Sequence, residues 1–207
     1  MLKVDLHKKL SSASGKMILD IQFNCDPGEF LVISGPSGAG KTSILRMIAG
    51  LMPPDAGQIT FKNDIWFSDS KNLKPQKRDL GLVFQNYSLF PNMTVAQNIL
   101  YAKPRHIDPS AVSQLLKSLE LEGLRDQKPN MLSGGQQQRV AMARTLIQQP
   151  SILLLDEPLA AVDRRLRAKL QSFIKQVHEE HKLTTIMVTH DASDAIKLAD
   201  RIIEIED

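Results

Sequence analysis

The sequence predicts an α/β fold that combines a parallel sheet, an antiparallel β subdomain and an inserted helical subdomain. Residues 80–84, 152–155 and 186–188 are nearly continuous apolar runs, as expected of parallel strands that helices cover on both faces. Residues 19–23 and 58–62 instead alternate apolar and polar side chains. This alternation is typical of half-exposed antiparallel strands.

Apolar residues at helical spacing lie between these strands. One helix is expected to have Asp108-Pro109 as its cap and first turn. Its apolar face is formed by Val112, Leu115, Leu116 and Leu119. A second helix should begin after Ser133 and end before Pro150, and a third should cover about 163–181.

The 207 residues are expected to form a single domain, because this length suits one core with an inserted subdomain. Residues 1–85 and 150–207 are predicted to form the α/β core together with the antiparallel subdomain. Residues 86–149 are predicted to form the helical subdomain.

Composition narrows the class of protein. The formal net charge is +3, with 26 basic and 23 acidic residues, so nothing in the charge balance indicates nucleic-acid binding. Cys25 is the only cysteine, which excludes an internal disulfide and a cysteine-based zinc site. The polar N-terminus and the lack of an apolar run of about 18 residues predict a cytoplasmic protein.

Residues 35–42 read Gly-Pro-Ser-Gly-Ala-Gly-Lys-Thr, which fits the pattern of a phosphate-binding loop. A predicted buried strand at 30–33 precedes the loop, and a predicted helix follows it. A glycine-rich turn in this position directs backbone N–H groups and the positive end of the helix dipole into one concavity that suits phosphate. The residues expected to bind the phosphates are Gly35, Ser37, Gly38, Ala39, Gly40, Lys41, Thr42 and Ser43.

Four side chains provide the expected chemistry. Lys41 can reach the β- and γ-phosphates of a nucleotide, and the Thr42 hydroxyl can ligate Mg²⁺. Asp156 and Glu157 follow the apolar run 152–155, at the strand end where ligands of open α/β sheets bind. There Asp156 can hold Mg²⁺ with Thr42, and Glu157 can orient or deprotonate the water that attacks the γ-phosphate.

A second glycine-containing segment, Ser133-Gly134-Gly135-Gln136, begins the second predicted helix. Two glycines after a capping serine indicate that a ligand approaches the backbone closely, since glycine is a poor helix former. Ser133 and the N–H groups behind it would form another anion site. Taken alone, a serine cap followed by permissive glycines explains the segment equally well.

In this order, the segments resemble the ATP-binding subunits of ABC transporters over essentially the whole chain. Residues 35–42 are similar to the family's Walker A loop, 133–136 to its signature motif and 152–157 to its Walker B strand with the catalytic glutamate. The resemblance implies ATP and Mg²⁺ as cofactors. It also implies a head-to-tail homodimer in which each ATP lies between one copy's phosphate loop and the other copy's signature helix.

Three further residues receive roles from the resemblance. Gln85 matches the Q-loop glutamine and His190 the switch histidine, so both are implied to be catalytic, together with Lys41 and Glu157. Gln85 is also an implied Mg²⁺ ligand, and Asp163 matches the D-loop aspartate beside the nucleotide. Judged alone, Gln85 is an ordinary polar residue after a strand, His190 a structural histidine and Asp163 a helix cap.

Residues 86–95 form an apolar and aromatic segment that looks most like the importer branch of the family. There this segment contacts the permease, although its side chains could instead pack inside the helical subdomain. The implied partners are a transmembrane permease and a substrate-binding protein, with no nucleic acid. The chain would then be peripheral on the inner face of the membrane, and overall similarity indicates an oxyanion such as molybdate as substrate.

The chain departs from the family pattern where adenine is expected to bind. Residues 1–22 contain no Phe, Tyr or Trp, whereas many members stack adenine on an upstream aromatic side chain. His7, Leu10 or the methylene stem of a longer side chain is expected to substitute, which predicts weak discrimination between bases. Ala160 also stands where a serine is common in the D-loop.

Two other classes of protein share parts of this sequence pattern. A non-transport ABC ATPase would act in DNA repair, chromosome organisation or translation, but such proteins usually carry coiled-coil insertions or tandem cassettes. A phosphate-loop kinase would need an acceptor pocket in place of residues 133–136. An ATPase that powers an importer is therefore the favoured function.

Overall fold

The computed structural model describes residues 1–12, 15–160, 162 and 164–205. Within these residues the chain forms ten strands, six α-helices and three short 3₁₀ turns. The strands are β1 (Leu2–Ser12), β2 (Gly15–Cys25), β3 (Phe30–Ser34), β4 (Ala56–Phe61), β5 (Asp64–Ser68), β6 (Lys71–Asn72), β7 (Leu80–Val83), β8 (Ile152–Asp156), β9 (Thr184–Thr189) and β10 (Arg201–Glu204). The α-helices are α1 (Lys41–Ile48), α2 (Val95–Ala102), α3 (Ser110–Ser118), α4 (Gly134–Leu146), α5 (Arg164–Glu180) and α6 (Ala192–Leu198). The 3₁₀ turns are Pro75–Lys77, Glu122–Leu124 and Pro129–Met131.

The apolar strands form a parallel sheet in the order β10-β3-β9-β8-β7. Every residue of β3, β8 and β9 is buried, which confirms the prediction from their apolar composition. All five strands run in the same direction, so the segments that follow them meet at the carboxyl edge of the sheet. This edge carries the residues predicted to bind nucleotide.

The second sheet is antiparallel, in the order β2-β1-β4-β5-β6, and includes both predicted alternating strands. The strand β1 was not predicted from the sequence, and neither were β5, β6 and β10. In β1, Leu2, Val4 and Leu6 are buried, and the residues between them are exposed. This alternation is the same signal that identified β2.

Two apolar clusters hold the layers together. In β3, Phe30 and Val32 belong to the cluster that joins the sheet to the helices α2, α3, α4 and α5. Leu31 and Ile33 point the other way, into the cluster that contains α1 and the antiparallel sheet. Because side chains of a strand alternate between its faces, β3 is anchored on both sides just before the phosphate loop.

The helices α1, α3, α4 and α5 lie close to their predicted positions, whereas α2 and α6 were not predicted individually. Helices α2, α3 and α4 fall within residues 86–149, and α5 covers most of the predicted third helix. The predicted start of α3 was one residue early, because Pro109 occupies the N-cap position and the helix begins at Ser110. Asp108 instead accepts a hydrogen bond from the Ser110 backbone N–H. Among the described residues, none of the helices has both the length and the apolar character needed to cross a bilayer.

Candidate functional site

The phosphate loop connects β3 to α1 as predicted, and close packing requires glycine at two of its positions. A Cβ atom on Gly35 would lie 2.5 Å from the Ile205 carbonyl oxygen. Gly40 caps α1 with a left-handed backbone (φ 85°), and a Cβ atom there would lie 3.1 Å from Leu10 Cδ1. The loop is therefore enclosed by Ile205, which directly follows β10, on one side and by Leu10 of β1 on the other.

Side chains along the loop differ in exposure. Lys41 is only 4% exposed, and its ammonium group donates hydrogen bonds to the carbonyls of Gly35 (2.8 Å) and Pro36 (2.5 Å). Ser37 and Gly38 are exposed at the tip of the loop. The positive charge of Lys41 is thus held against the loop rather than directed into bulk solvent.

The remaining loop residues complete the start of α1. Ala39 is buried, while Thr42 and Ser43 in the first turn of the helix are half-buried. The backbone N–H groups of this first turn have no intrahelical partner by construction of the helix. They can therefore bind an anion, as the sequence predicted.

Thr42 and Asp156 meet at the carboxyl edge of the parallel sheet. The Thr42 hydroxyl donates a 2.7 Å hydrogen bond to Asp156 Oδ1. Burial raises the pKa of Asp156, and the Thr42 hydrogen bond opposes this change. A hydroxyl and a carboxylate oxygen at this spacing are hard ligands of the kind Mg²⁺ prefers, so these residues fit the metal that the sequence predicted.

Glu157 and His190 form a second pair beside Asp156. His190 Nδ1 lies 3.2 Å from Glu157 Oε2. Glu157 has a left-handed backbone (φ 46°), which is uncommon for a residue other than glycine. Its N–H donates to the Val188 carbonyl on the neighbouring strand. The structure thus brings together two residues that lie 33 positions apart in the chain.

Gln85 lies at the same edge of the sheet, two residues after β7. Its side chain is exposed and makes no hydrogen bond to any residue that the structure describes. The geometry therefore brings Gln85 to the correct edge without joining it to Thr42 or Asp156. The other residue assigned by resemblance, Asp163, lies outside the described residues.

The Ser133–Gln136 segment caps α4. Ser133 Oγ accepts from the Gln136 backbone N–H (3.4 Å), and Gln136 Oε1 accepts from the Ser133 N–H (2.8 Å). This reciprocal arrangement is a capping box. A Cβ atom on Gly135 would lie 3.0 Å from the Leu166 side chain, but one on Gly134 would meet nothing within 4 Å. Packing within the described chain therefore explains the glycine at 135 and leaves the one at 134 unexplained.

The structure separates the two residues expected to contact adenine. Leu10 lies beside Gly40 at the phosphate loop. His7 is three residues away along β1, so its side chain points to the opposite face of the strand, where its Nδ1 lies 3.6 Å from Asp20 Oδ2. Of the two, Leu10 has the position from which a side chain could reach a nucleotide.

A groove of about 560 Å³ lies where α1 ends, between β7, α2 and α4. Leu51, Phe90 and Tyr101 line it and are 51%, 37% and 67% exposed. Arg144 of α4 closes one side, donating to the carbonyls of Ser88 (2.7 Å) and Tyr87 (2.9 Å). The sequence did not indicate a structural role for Arg144, because its partners are backbone carbonyls of a loop 56 and 57 residues away.

A phosphate loop with a carboxylate pair at the edge of a parallel sheet defines a nucleotide-binding protein of the phosphate-loop class. A family profile described as "ABC transporter" matches residues 18–160. The chain therefore belongs to the ABC transporter family, as an ATP-binding cassette similar to those of importers.

Individual relatives support this assignment. The chain is 41% identical to the sulfate/thiosulfate import ATP-binding protein CysA of Nitrosomonas europaea, over 96% of this chain and 56% of that protein. It is 44% identical to the spermidine/putrescine import ATP-binding protein PotA of Vibrio vulnificus strain YJ016, over 93% of this chain and 52% of that protein. The chain thus spans about half the length of these curated relatives.

The fold is also that of a solved cassette. The dimeric ATP-binding cassette MJ0796, in a post-hydrolysis state bound to ADP and Pi, superposes with a TM-score of 0.81 at 34% identity. The match covers 99% of this chain and 94% of that chain. The predicted fold class, an α/β core with an antiparallel sheet and helices, is therefore confirmed.

Proposed function

We propose that this chain hydrolyses ATP and, through ATP-driven dimerisation, powers a membrane importer. The observation that carries the proposal is the carboxyl edge of the parallel sheet. There the Thr42–Asp156 pair and the Glu157–His190 pair adjoin the phosphate loop. The similarity to a cassette dimer bound to ADP and Pi also supports the proposed hydrolysis of ATP.

Each residue has a distinct part in the proposed reaction. The first turn of α1 and Lys41 bind the β- and γ-phosphates and offset their charge. Thr42 and Asp156 would hold Mg²⁺, which supplies further charge neutralisation at the phosphates. Glu157 accepts a proton from the attacking water or orients it, and His190 contacts the γ-phosphate while its Nδ1 faces Glu157.

The site is completed by a second copy of the chain. Ser133 and Gly134 are exposed at the start of α4, where helix N–H groups favour an anion. We place this surface, with Gly135, Gln136 and Asp163, against the ATP of the partner subunit. In this closed dimer Gln85 would be a further ligand of Mg²⁺.

Replacing Glu157 by Gln tests the catalytic assignment. The amide cannot accept the proton, so we expect the turnover of MgATP to fall by about 10²- to 10⁴-fold. Binding of ATP should persist, and light scattering should detect a stable ATP-bound dimer. Glu180→Gln, an exposed substitution at the far end of α5, is the matched control and should hydrolyse ATP at the wild-type rate. Undiminished hydrolysis by Glu157→Gln would remove Glu157 from the mechanism.

The proposed membrane partner binds the groove that Leu51, Phe90 and Tyr101 line. Large exposed apolar side chains around one concave surface indicate a protein interaction site. This groove adjoins the segment 86–95, which the sequence assigned to permease contact. The cassette would then lie on the inner face of the membrane through a multi-span permease rather than through a span of its own.

Co-purification of the tagged chain from detergent-solubilised membranes tests this partner. We expect a multi-span membrane protein to accompany the wild-type chain, and Tyr101→Asp to lose it. Ile196→Asp places the same charge at another exposed apolar position, 74% exposed, and should retain the partner. Recovery of nucleic acid or ribosomes instead would favour a non-transport ABC ATPase.

For the transported substrate we propose a sulfate-like oxyanion delivered by a substrate-binding protein. The names of the relatives, sulfate/thiosulfate importers and a spermidine/putrescine importer, favour sulfate over the molybdate expected from the sequence. Uptake of labelled sulfate, molybdate and spermidine should be compared in cells with and without the gene. A selective loss of spermidine uptake would reassign the system to polyamines.

A further inference from the structure

One arginine of α5 connects the two loops that carry Glu157 and His190. Arg167 Nη2 donates a 3.2 Å hydrogen bond to the Leu159 carbonyl, and Nη1 donates to Asp191 Oδ2. The Arg167 side chain is 24% exposed. Its guanidinium therefore lies largely within the protein, with its two donor nitrogens on two different loops.

The two partners of Arg167 lie next to Glu157 and His190 in the sequence. Leu159 lies two residues after Glu157, and Asp191 directly follows His190. The Glu157 and His190 side chains lie 3.2 Å apart, measured from Oε2 to Nδ1. The Arg167 guanidinium therefore connects the two loops that carry them. A guanidinium donates through a fixed fork, so it constrains the distance between two acceptors as well as binding them.

The Asp191 end of the contact is held firmly. Asp191 Oδ1 accepts from the Ser193 backbone N–H (2.8 Å) and hydroxyl (2.6 Å), which caps α6, and the Asp191 N–H donates to Thr189 Oγ1 (3.1 Å). The Ser193 hydrogen bonds and the Arg167 contact lower the pKa of Asp191 to about 2. The carboxylate is therefore ionised at neutral pH and pairs with Arg167 as a full charge.

The Glu157 end needs support because its backbone is left-handed. A non-glycine residue in this region is strained and persists only when its surroundings fix it. The Ala160 N–H donates to the Glu157 carbonyl (3.1 Å), which closes a tight turn after the strand. Arg167 holds the carbonyl of Leu159 inside that turn.

We propose that Arg167 is a positioning residue that sets the spacing between the Glu157 carboxylate and the His190 ring. This inference rests on the proposed hydrolysis of ATP at that pair. Arg167 itself contacts neither phosphate nor water in this role. Loss of the contact lets the two loops separate, and displacement of a catalytic group by about 1 Å can lower a rate by about a hundredfold.

Substitution of Arg167 gives a graded test in steady-state hydrolysis of MgATP. Arg167→Met keeps the apolar stem and removes all donors, so kcat should fall by about a hundredfold. Arg167→Lys can pair with Asp191 but cannot span both loops, and a smaller loss of about tenfold is expected. The KM for ATP should stay within about twofold of wild type for both, because the interaction acts on the reacting groups and not on binding.

Asp191→Asn provides an independent route to the same contact. Asparagine caps helices as well as aspartate does, so α6 should stay intact while the charge pair is lost, and kcat should fall by about tenfold. If Arg167 acts through Asp191, the double variant Arg167→Met/Asp191→Asn should be no slower than Arg167→Met alone. Losses that multiply would overturn the proposal, as would a rise in KM that accounts for the whole effect.

Two controls separate this inference from the wider function. Lys169→Ala removes the same charge from an exposed position two residues along α5 and should leave kcat and thermal stability unchanged. A wild-type chain that does not hydrolyse ATP refutes the proposed function itself. A wild-type chain that hydrolyses ATP, with Arg167→Met equally active, refutes only the role of Arg167.

Discussion

The proposed site has two halves, a phosphate-loop half (residues 35–43 with Asp156) and a signature half (Ser133–Gln136). In the phosphate-loop half, Thr42 of α1 and Asp156 of β8 are joined by a 2.7 Å hydrogen bond, and Lys41 is 4% exposed. In the signature half, Ser133 is hydrogen-bonded to Gln136 of its own helix turn and both Ser133 and Gly134 face solvent. The first half is assembled from several parts of the chain. The second is a local structure on the surface.

The glycines of the two halves show the same contrast. A side chain on Gly35 would collide with the Ile205 carbonyl, so the fold of this chain requires glycine there. A side chain on Gly134 would meet nothing within 4 Å. Packing within the described residues therefore does not require glycine at 134, which is compatible with the proposed site shared between two copies.

Mixing two inactive chains tests this contrast with the largest expected effect. Lys41→Ala removes the phosphate-loop charge, and Ser133→Arg blocks the signature surface, so each variant alone should lose nearly all hydrolysis of ATP. In a head-to-tail dimer, a mixed pair still has one site built from an intact loop and an intact signature. With random pairing about half of the dimers are mixed, and each mixed dimer has one intact site out of two. Roughly a quarter of all sites are then intact, so the mixture should hydrolyse ATP at roughly a quarter of the wild-type rate.

The control for this experiment combines both substitutions in one chain. Lys41→Ala mixed with the double variant has no intact site in any pairing and should stay inactive. If Lys41→Ala and Ser133→Arg fail to complement each other while both still bind each other, the two halves do not meet across a dimer.

The secondary structure around the phosphate loop was predictable because its information is local. A strand, a glycine-rich turn and a helix follow each other within residues 30–48, and parallel strands necessarily bring Asp156 to the same edge. The buried strands β3, β7, β8 and β9 and the helices α3 and α5 followed from apolar spacing for the same reason. The strands β1, β5, β6 and β10 and the helices α2 and α6 were not predicted individually, although the buried residues of β1 alternate as those of β2 do.

Contacts between side chains and distant backbone groups were not predictable in this way. Arg144 reaches the Ser88 carbonyl across 56 positions, and Arg78 reaches the Met47 carbonyl across 31. A carbonyl acceptor is present at every residue, so no residue type in the sequence marks it as a partner. Such arginines resemble ordinary surface charges until the fold shows what surrounds them.

Arg78 tests whether the phosphate-loop half is the more rigid of the two. Its buried guanidinium donates to the last carbonyls of α1, Met47 (2.9 Å) and Ile48 (2.6 Å), and to the Trp66 carbonyl (3.2 Å). Burial lowers the pKa of Arg78 to about 10. Arg78→Met removes the guanidinium donors from all three carbonyls, of which Met47 and Trp66 keep the N–H groups of Gly50 (3.0 Å) and Leu73 (2.8 Å). It should lower the free energy of unfolding by about 3 kcal/mol.

The matched substitution on the signature side is Gln136→Ala, which removes half of the capping box and should cost about 1 kcal/mol at most. Thermal unfolding of both variants measures the difference. For a chain of this size, we expect Arg78→Met to lower Tm by about 6–12 °C and Gln136→Ala by about 2–4 °C. Equal shifts would mean that the two halves are equally integrated into the fold.

The smallest expected effect concerns the base of the nucleotide, where the phosphate-loop half is least complete. Leu10, whose Cδ1 would lie 3.1 Å from a Cβ on Gly40, would give adenine an aliphatic surface without ring stacking or hydrogen bonds. ATP and GTP should therefore bind within about tenfold of each other by titration calorimetry in the absence of Mg²⁺. Leu10→Phe adds a stacking interaction of about 0.5–1.5 kcal/mol, which corresponds to roughly 2- to 13-fold tighter ATP binding. His7→Phe places the same ring on the opposite face of β1 and should change the affinity for neither nucleotide. Tighter ATP binding by His7→Phe would contradict the assignment of Leu10 to the base. A strong preference of the wild-type chain for ATP over GTP would contradict it too.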